Sequence, residues 1–298
     1  MSKPVCFILV FILMANTFIF AEDKVAGWQK INREVANLYQ KGDLKGAEIA
    51  AQKALTYAEE SFGQISGQTA AALNNLALMK KKLGKYDEAL PLYERSLKTM
   101  KKVFGTTHIA VAVCMDNIAE LLKIQGRTDE AENYYKNVLL IRRKFLSPND
   151  PAIALTLNNL AGLYYSRQEY SRAAQMYLNA LEIYTKSLPE NRIAAAQTLC
   201  NLAAVYEKGD KIPEAENLYS KALEIWRSVP EKDNLDYAKL LNNFAMFKYN
   251  QALYDESERL LLQASQIAEL IVSPDHPDRV MITENLKSCR EKLMQAKR

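Results

Sequence analysis

Two histidines, a few cysteines and several carboxylate pairs are the residues equipped for acid–base, redox or metal chemistry. His108 and His276 lie 168 residues apart, four times an offset of 42 that recurs along the chain. They hold one loop position in different repeats and cannot meet at one ion, so hydrogen bonding within the loop is the role expected of each. Cys114 and Cys200 fall on corresponding helices two repeats apart. Packed helices lie about 8–10 Å apart, and a disulfide tolerates Cα separations of only about 4.4–6.8 Å. With Cys289 they are expected to act as small hydrophobes on packed helices. Asp87-Glu88, Asp129-Glu130 and Asp255-Glu256 fall at helix starts, where negative charge suits the dipole and free N–H groups need caps. There is no Gly-rich phosphate loop, no G-x-S-x-G and no H-E-x-x-H. No catalytic residue, metal ligand or cofactor is expected.

Asparagine is the exception. Asn75, Asn117, Asn159, Asn201, Asn243 and Asn285 recur every 42 residues without a slip. A side-chain amide offers two donors and an acceptor, which can pair with the amide and carbonyl of an extended peptide or with a neighbouring helix. Both roles stay open at this point: capture of a bound backbone, and a ladder of bonds that fixes one repeat on the next.

The elements that carry this column repeat with it. The following column is apolar (Leu76, Ile118, Leu160, Leu202, Phe244, Leu286), and the next is alanine from Ala77 to Ala245. Ala89, Ala131, Ala173 and Ala215 form another column closed by Ser257, and Tyr93, Tyr135, Tyr177 and Tyr219 one closed by Leu261. This is an internal repeat. In each unit two runs of 3–4 spacing, such as Leu73 to Leu83 and Tyr86 to Leu97, predict two helices. Gly42, Gly84 and Gly126 sit between them, where a left-handed residue ends the first helix. Gln168, Asp210 and Ala252 take that place later and are expected to be a weaker stop.

These columns resemble the tetratricopeptide repeat, in its 42-residue kinesin-light-chain-like variety. The likeness is carried by Leu73-Asn74-Asn75-Leu76-Ala77, by Gly84-Lys85-Tyr86-Asp87-Glu88-Ala89, by Leu157-Asn158-Asn159-Leu160-Ala161 and by Ser273-Pro274-Asp275-His276-Pro277. The first repeat departs from the pattern, with Glu34 in an apolar column and Val35 in the alanine column. The resemblance implies an all-α fold, a right-handed superhelical solenoid of stacked antiparallel helix pairs. About six pairs are expected over residues 28–277, with a capping helix over 278–296, in a single solenoid spanning 22–298.

The resemblance also places the asparagine column on a concave groove lined by first helices. A strand advances about 3.3 Å per residue, so one asparagine would meet roughly every third residue of a bound peptide. The candidate groove residues are Asn75, Asn117, Asn159, Asn201 and Asn243, with Asn158 and Asn242 from the column before. One turn on, a column expected to be exposed contributes Lys81, Lys123, Tyr165 and Tyr249, suited to a ligand with an acidic end and an aromatic or apolar stretch. The implied function is a non-enzymatic scaffold for a protein or peptide partner, with no small-molecule substrate.

Composition and termini narrow this further. Gly 10 and Pro 9 in 298 residues are about half the usual share of roughly 12%, too few for the turns of a sandwich or barrel. Hydrophobic content of 49% and charge of 25% exclude wholesale disorder. A net charge of +4, evenly scattered, gives no footprint for nucleic acid. Lys3, the apolar run Val5 to Phe20 and Ala21 have the layout of a secretory signal peptide over residues 1–21, cut after Ala21. The run is shorter than the roughly 20 residues of a membrane span. The chain is therefore expected to be exported from a bacterial cell, periplasmic or secreted. The membrane enters only if the segment stays attached as an anchor.

Overall fold

The computed structural model describes residues 19–187, 190–228 and 234–296. Of the expected signal segment, residues 1–18 lie outside the described residues, and 19–21 open the first helix. The contacts divide the chain into two compact bodies, one ending at Ser147 and one beginning at Pro148.

The N-terminal body holds α1 (Ile19–Gln40), α2 (Leu44–Phe62), α3 (Gly67–Lys82), α4 (Tyr86–Phe104), α5 (Ile109–Ile124) and α6 (Thr128–Phe145). The C-terminal body holds α7 (Pro151–Ser166), α8 (Tyr170–Lys186), α9 (Arg192–Lys208), α10 (Ile212–Arg227), α11 (Leu235–Asn250), α12 (Tyr254–Ile271) and α13 (Pro277–Ala296). Among the described residues the fold is all-α, with six helix pairs and one closing helix, as the repeat predicts. No described helix is long and apolar enough to cross a membrane.

The repeated columns form the core. Ala77, Ala119, Ala161, Ala203 and Ala245 are fully buried, as are Ala89, Ala131, Ala173, Ala215 and Ser257. Side chains this small let two helices joined by a short turn approach closely, and a larger residue there would overpack the contact at about 1–3 kcal/mol. Tyr93, Tyr135, Tyr177 and Tyr219 fill the space beside them and are buried. Tyr219 stacks on Phe244 with ring centroids 5.2 Å apart. In the first repeat Val35 is buried and Glu34 exposed, so the alanine column holds while its apolar neighbour does not.

Each reversal within a pair uses one device. Gly84 has φ +75°, its amide donates to the Lys81 carbonyl at 3.1 Å, and the Lys85 amide donates to Lys80 at 2.9 Å. These are the two crossed bonds that close a helix on a left-handed residue. Gln168, Asp210 and Ala252, expected to be a weaker stop, take the same left-handed conformation, with φ of 61°, 58° and 59°. They make the same bonds, Ala252 to Tyr249 at 2.9 Å and Leu253 to Lys248 at 3.0 Å. The six-residue hydrogen-bonded turn holds the geometry even where a Cβ opposes it.

Side-chain caps favour the first helices, with two exceptions: the second helix α2 is capped by Asp43, and the first helix α9 has no side-chain cap. Ser66, His108, Asp150 and Asn234 cap the first helices α3, α5, α7 and α11 through side-chain acceptors. The second helices α4, α6 and α12 begin at Lys85, Arg127 and Leu253, which make no side-chain cap. The carboxylate pairs expected to cap them stand in the first turn instead, where they favour the dipole; Glu130 pairs with Arg127 at 2.7 Å, and Glu88 and Glu256 form ion pairs described below.

Candidate functional site

The asparagine column is a hydrogen-bonded ladder whose rungs span 43 residues. Asn75 donates Nδ2 to Asn32 Oδ1 at 3.0 Å, Asn117 to Asn74 Oδ1 at 2.8 Å, and Asn285 to Asn242 Oδ1 at 2.9 Å. Asn243 donates to Cys200 Sγ at 3.7 Å. Each rung joins a first helix to the residue one place earlier in the preceding repeat. Asn32, Asn74, Cys200 and Asn242 are therefore the acceptors, so an amide oxygen or a thiol sulfur serves in that column. Asn32 is itself held by its amide on the Trp28 carbonyl at 2.8 Å.

The rungs leave the candidate residues in different states. Asn117 and Asn242 are buried at 8% and 2% exposure. Asn75, Asn158 and Asn159 are half-buried, whereas Asn201 and Asn243 are exposed. Asn201 makes no side-chain hydrogen bond among the described residues, and the Oδ1 of Asn158, the acceptor its place in the column would use, is buried without a partner.

The following column is not uniformly open. Lys81, expected to be exposed, is 5% exposed, because its ammonium lies 2.7 Å from Glu120 of the next repeat. Lys123 is half-buried. Tyr165 is half-buried and packs on Tyr170 with centroids 5.7 Å apart, while Tyr249 meets Tyr254 edge-on at 5.3 Å. Burial, then the neighbouring Tyr170 and Glu207, push the Tyr165 phenol above its ordinary range. Glu207 accepts from Asn250 at 2.8 Å, another 43-residue rung.

A second set of contacts between repeats escapes the sequence columns. Lys80 on α3 reaches Glu48 on α2 at 3.0 Å and Glu88 on α4. Lys248 on α11 repeats this with Glu216 at 2.5 Å and Glu256 at 2.9 Å, and Arg290 pairs with Glu258 at 2.7 Å. The hydrogen bond from Lys85 first of all, and then those from Lys80, hold the Glu48 carboxyl below its ordinary value against the opposing effect of burial. Arg142 and Asp116 form a buried pair at 3.1 Å, at 5% and 9% side-chain exposure.

The other candidate chemistry takes structural roles. His108 Nδ1 accepts from the Ala110 amide at 3.1 Å, and His276 Nδ1 from the Asp278 amide at 3.2 Å. Cys114, Cys200 and Cys289 are buried free thiols. Burial pushes Cys114 up to about 11 and Cys200 up to about 12. Among the described residues no three His, Cys, Asp or Glu side chains are placed to hold a metal ion.

Helix pairs repeated in this way, joined by inter-repeat rungs, define an α-helical repeat scaffold, a class that typically binds protein partners. A tetratricopeptide-repeat family model matches residues 68–139, 114–186 and 193–246, and a second matches residues 238–278. The chain belongs to the tetratricopeptide repeat family. Among solved structures it is similar to BtubC (BKLC) from P. vanneervenii, at 28% identity over 66% of this chain and 78% of that one, with a TM-score of 0.60. A putative kinesin light chain with nearly identical TPR-like repeats from Podosopora anserina is 20% identical over 68% of this chain and 96% of that one, with a TM-score of 0.56. The apo form of RapI is 16% identical over 90% of this chain and 99% of that one, with a TM-score of 0.61. These last two likenesses are of fold alone. Comparison with curated proteins finds no match.

Proposed function

We propose that the chain is a non-enzymatic scaffold that binds an extended segment of a partner protein on the face formed by its first helices. The observation that supports this reading is the exposure of Asn201 and Asn243, one repeat apart in the asparagine column, with Asn201 free of any side-chain bond among the described residues. Their amides can pair with a peptide backbone irrespective of its sequence. Lys123, Tyr165 and Tyr249 beside them would favour a ligand with an acidic end and an aromatic or apolar stretch. Asn75 and Asn117 serve the ladder through Nδ2, and of the two only the half-buried Asn75 keeps amide capacity within reach of the same ligand.

The experiment replaces Asn201 and Asn243 together by Ala and measures binding of a partner first captured from the envelope fraction. Affinity falls about tenfold or more, the scale of one or two hydrogen bonds, while helical content and melting temperature stay near wild type. Unchanged affinity removes this face from recognition, and loss of stability with binding makes the column purely structural.

The reading includes export, supported by Lys3, the apolar run Val5 to Phe20 and the small Ala21. Intact-mass measurement of the exported protein tests it: a chain beginning at Glu22 is released, and one retaining residues 1–21 is a membrane-tethered assembly factor of the envelope.

A further inference from the structure

The 42-residue period allows one place in the fold to be compared across repeats. Lys80 and Lys248 share a column, and each holds a glutamate on both adjoining second helices. Further along, α2 and α4 are bridged by Glu59 and Arg95 at 2.5 Å. The corresponding positions on α10 and α12 are Arg227 and Gln263. Arginine and glutamine cannot form that ion pair. Here the structure has a cavity of about 350 Å³, lined by α10 and α12 and by Phe244 and Lys248 of α11.

The charge in this cavity is unbalanced. Lys248 is committed to Glu216 and Glu256. Arg227 forms no ion pair among the described residues. Arg259, also in the lining, donates Nε to the Asp255 carbonyl of its own helix at 3.4 Å and pairs with no carboxylate among them. A guanidinium binds a carboxylate through two parallel hydrogen bonds, and the Phe244 and Leu260 side chains in the same lining can cover the methylenes of a short stem. The site is an open depression in which Arg227, Arg259 and Gln263 are exposed, and its volume lies at the low end of the roughly 300 to 1,000 Å³ of small-ligand pockets.

We propose that the cavity between α10 and α12 binds a carboxylate ligand through Arg227 and Arg259, at the place where α2 and α4 are instead joined by the Glu59–Arg95 ion pair. The carboxylate comes from an acidic side chain of a partner or from a small dicarboxylic acid. The site is built mainly from second helices, so it stands independently of the asparagine face on the first helices.

Calorimetric titration of the full chain with glutarate, with an acetylated di-glutamate peptide and with inorganic phosphate tests this. Glutarate or the peptide binds wild type, and binding weakens as salt is added. The double variant Arg227→Glu with Gln263→Arg copies the Glu59–Arg95 bridge into the cavity and abolishes binding with its circular dichroism unchanged. Arg259→Gln, which needs no new pair, weakens binding about tenfold. A peptide that binds about tenfold tighter than glutarate assigns the site to a partner's acidic side chain, and the reverse order assigns it to a small acid. The proposal is overturned by no carboxylate binding at about 10 mM, by equal binding to wild type and variants, or by binding of phosphate alone.

Discussion

Asn117 donates its side-chain amide to Asn74 Oδ1 at 2.8 Å, and both residues are buried, at 8% and 7% exposure. Truncating the donor leaves a buried acceptor unmet. Asn117→Ala is expected to cost about 1–3 kcal/mol, read as a lower urea midpoint, whereas Asn201→Ala, at an exposed and unbonded position, is expected to stay within about 0.5 kcal/mol of wild type. Equal effects at the two positions would contradict the ladder.

The left-handed turn at Ala252 carries a Cβ in a conformation that costs L residues about 1–2 kcal/mol. Ala252→Gly relieves this and loses part of the gain to the freer unfolded chain. The expected result is a net stabilisation of about 0.5–1 kcal/mol, seen as a raised thermal midpoint. The opposite change, Gly84→Ala, meets no side-chain clash and is expected to destabilise by a similar amount through its φ of +75° alone.

Acid should loosen the contact between the second and third repeats. Burial alone would push the Glu120 carboxyl up, but the Lys81 ammonium at 2.7 Å, with Lys82 and Lys123 nearby, outweighs it and holds the group below its ordinary 4.5. A carboxyl depressed in the folded state binds its proton more readily when unfolded. Its contribution is therefore complete above 4.5 and is lost as the pH falls through the lower folded value. Urea midpoints measured from about pH 5 to about pH 3 should fall less steeply for Glu120→Gln than for wild type; parallel slopes would remove Glu120 from the acid response.

The thiols should be silent in the folded chain. With Cys114 pushed up to about 11 by burial, about one thiol in a thousand is ionised at pH 8, and Cys200 at about 12 is less ionised still. Labelling by a thiol-specific disulfide reagent is expected to be slow in buffer and fast in denaturant. Rapid native labelling at either residue would show that the helices carrying it open readily.

The helix pairs and the closing helix are legible in the sequence because the residues that pack a pair, Ala77 with Ala89 and Tyr93, lie within one period and recur in each. The asparagines are legible as residues but not as donors. Their partners sit 43 positions earlier, and pairing Asn117 with Asn74 needs the axial register of two helices from different repeats. Within its own repeat Lys81 has nothing to cover it, and Glu120, which does, belongs to the next. The Lys80 cluster was hidden for a different reason. Leu122, Tyr164 and Tyr206 occupy its column in the three repeats between Lys80 and Lys248, so no periodic signal marks it. Charge pairing reads as a pattern only when it repeats.

An offset of 43 on a period of 42 lets one repeat be both socket and plug. In the second repeat Asn74 accepts from the repeat that follows and Asn75 donates to the one before. Excising one whole period, residues 192–233, would bring Asn243 opposite Asn158, whose Oδ1 is now buried and unanswered, in place of Cys200. Repeats joined this way can be removed or duplicated without rewriting their neighbours, and chain length becomes a quantity that can change in steps of 42 while the joint stays the same.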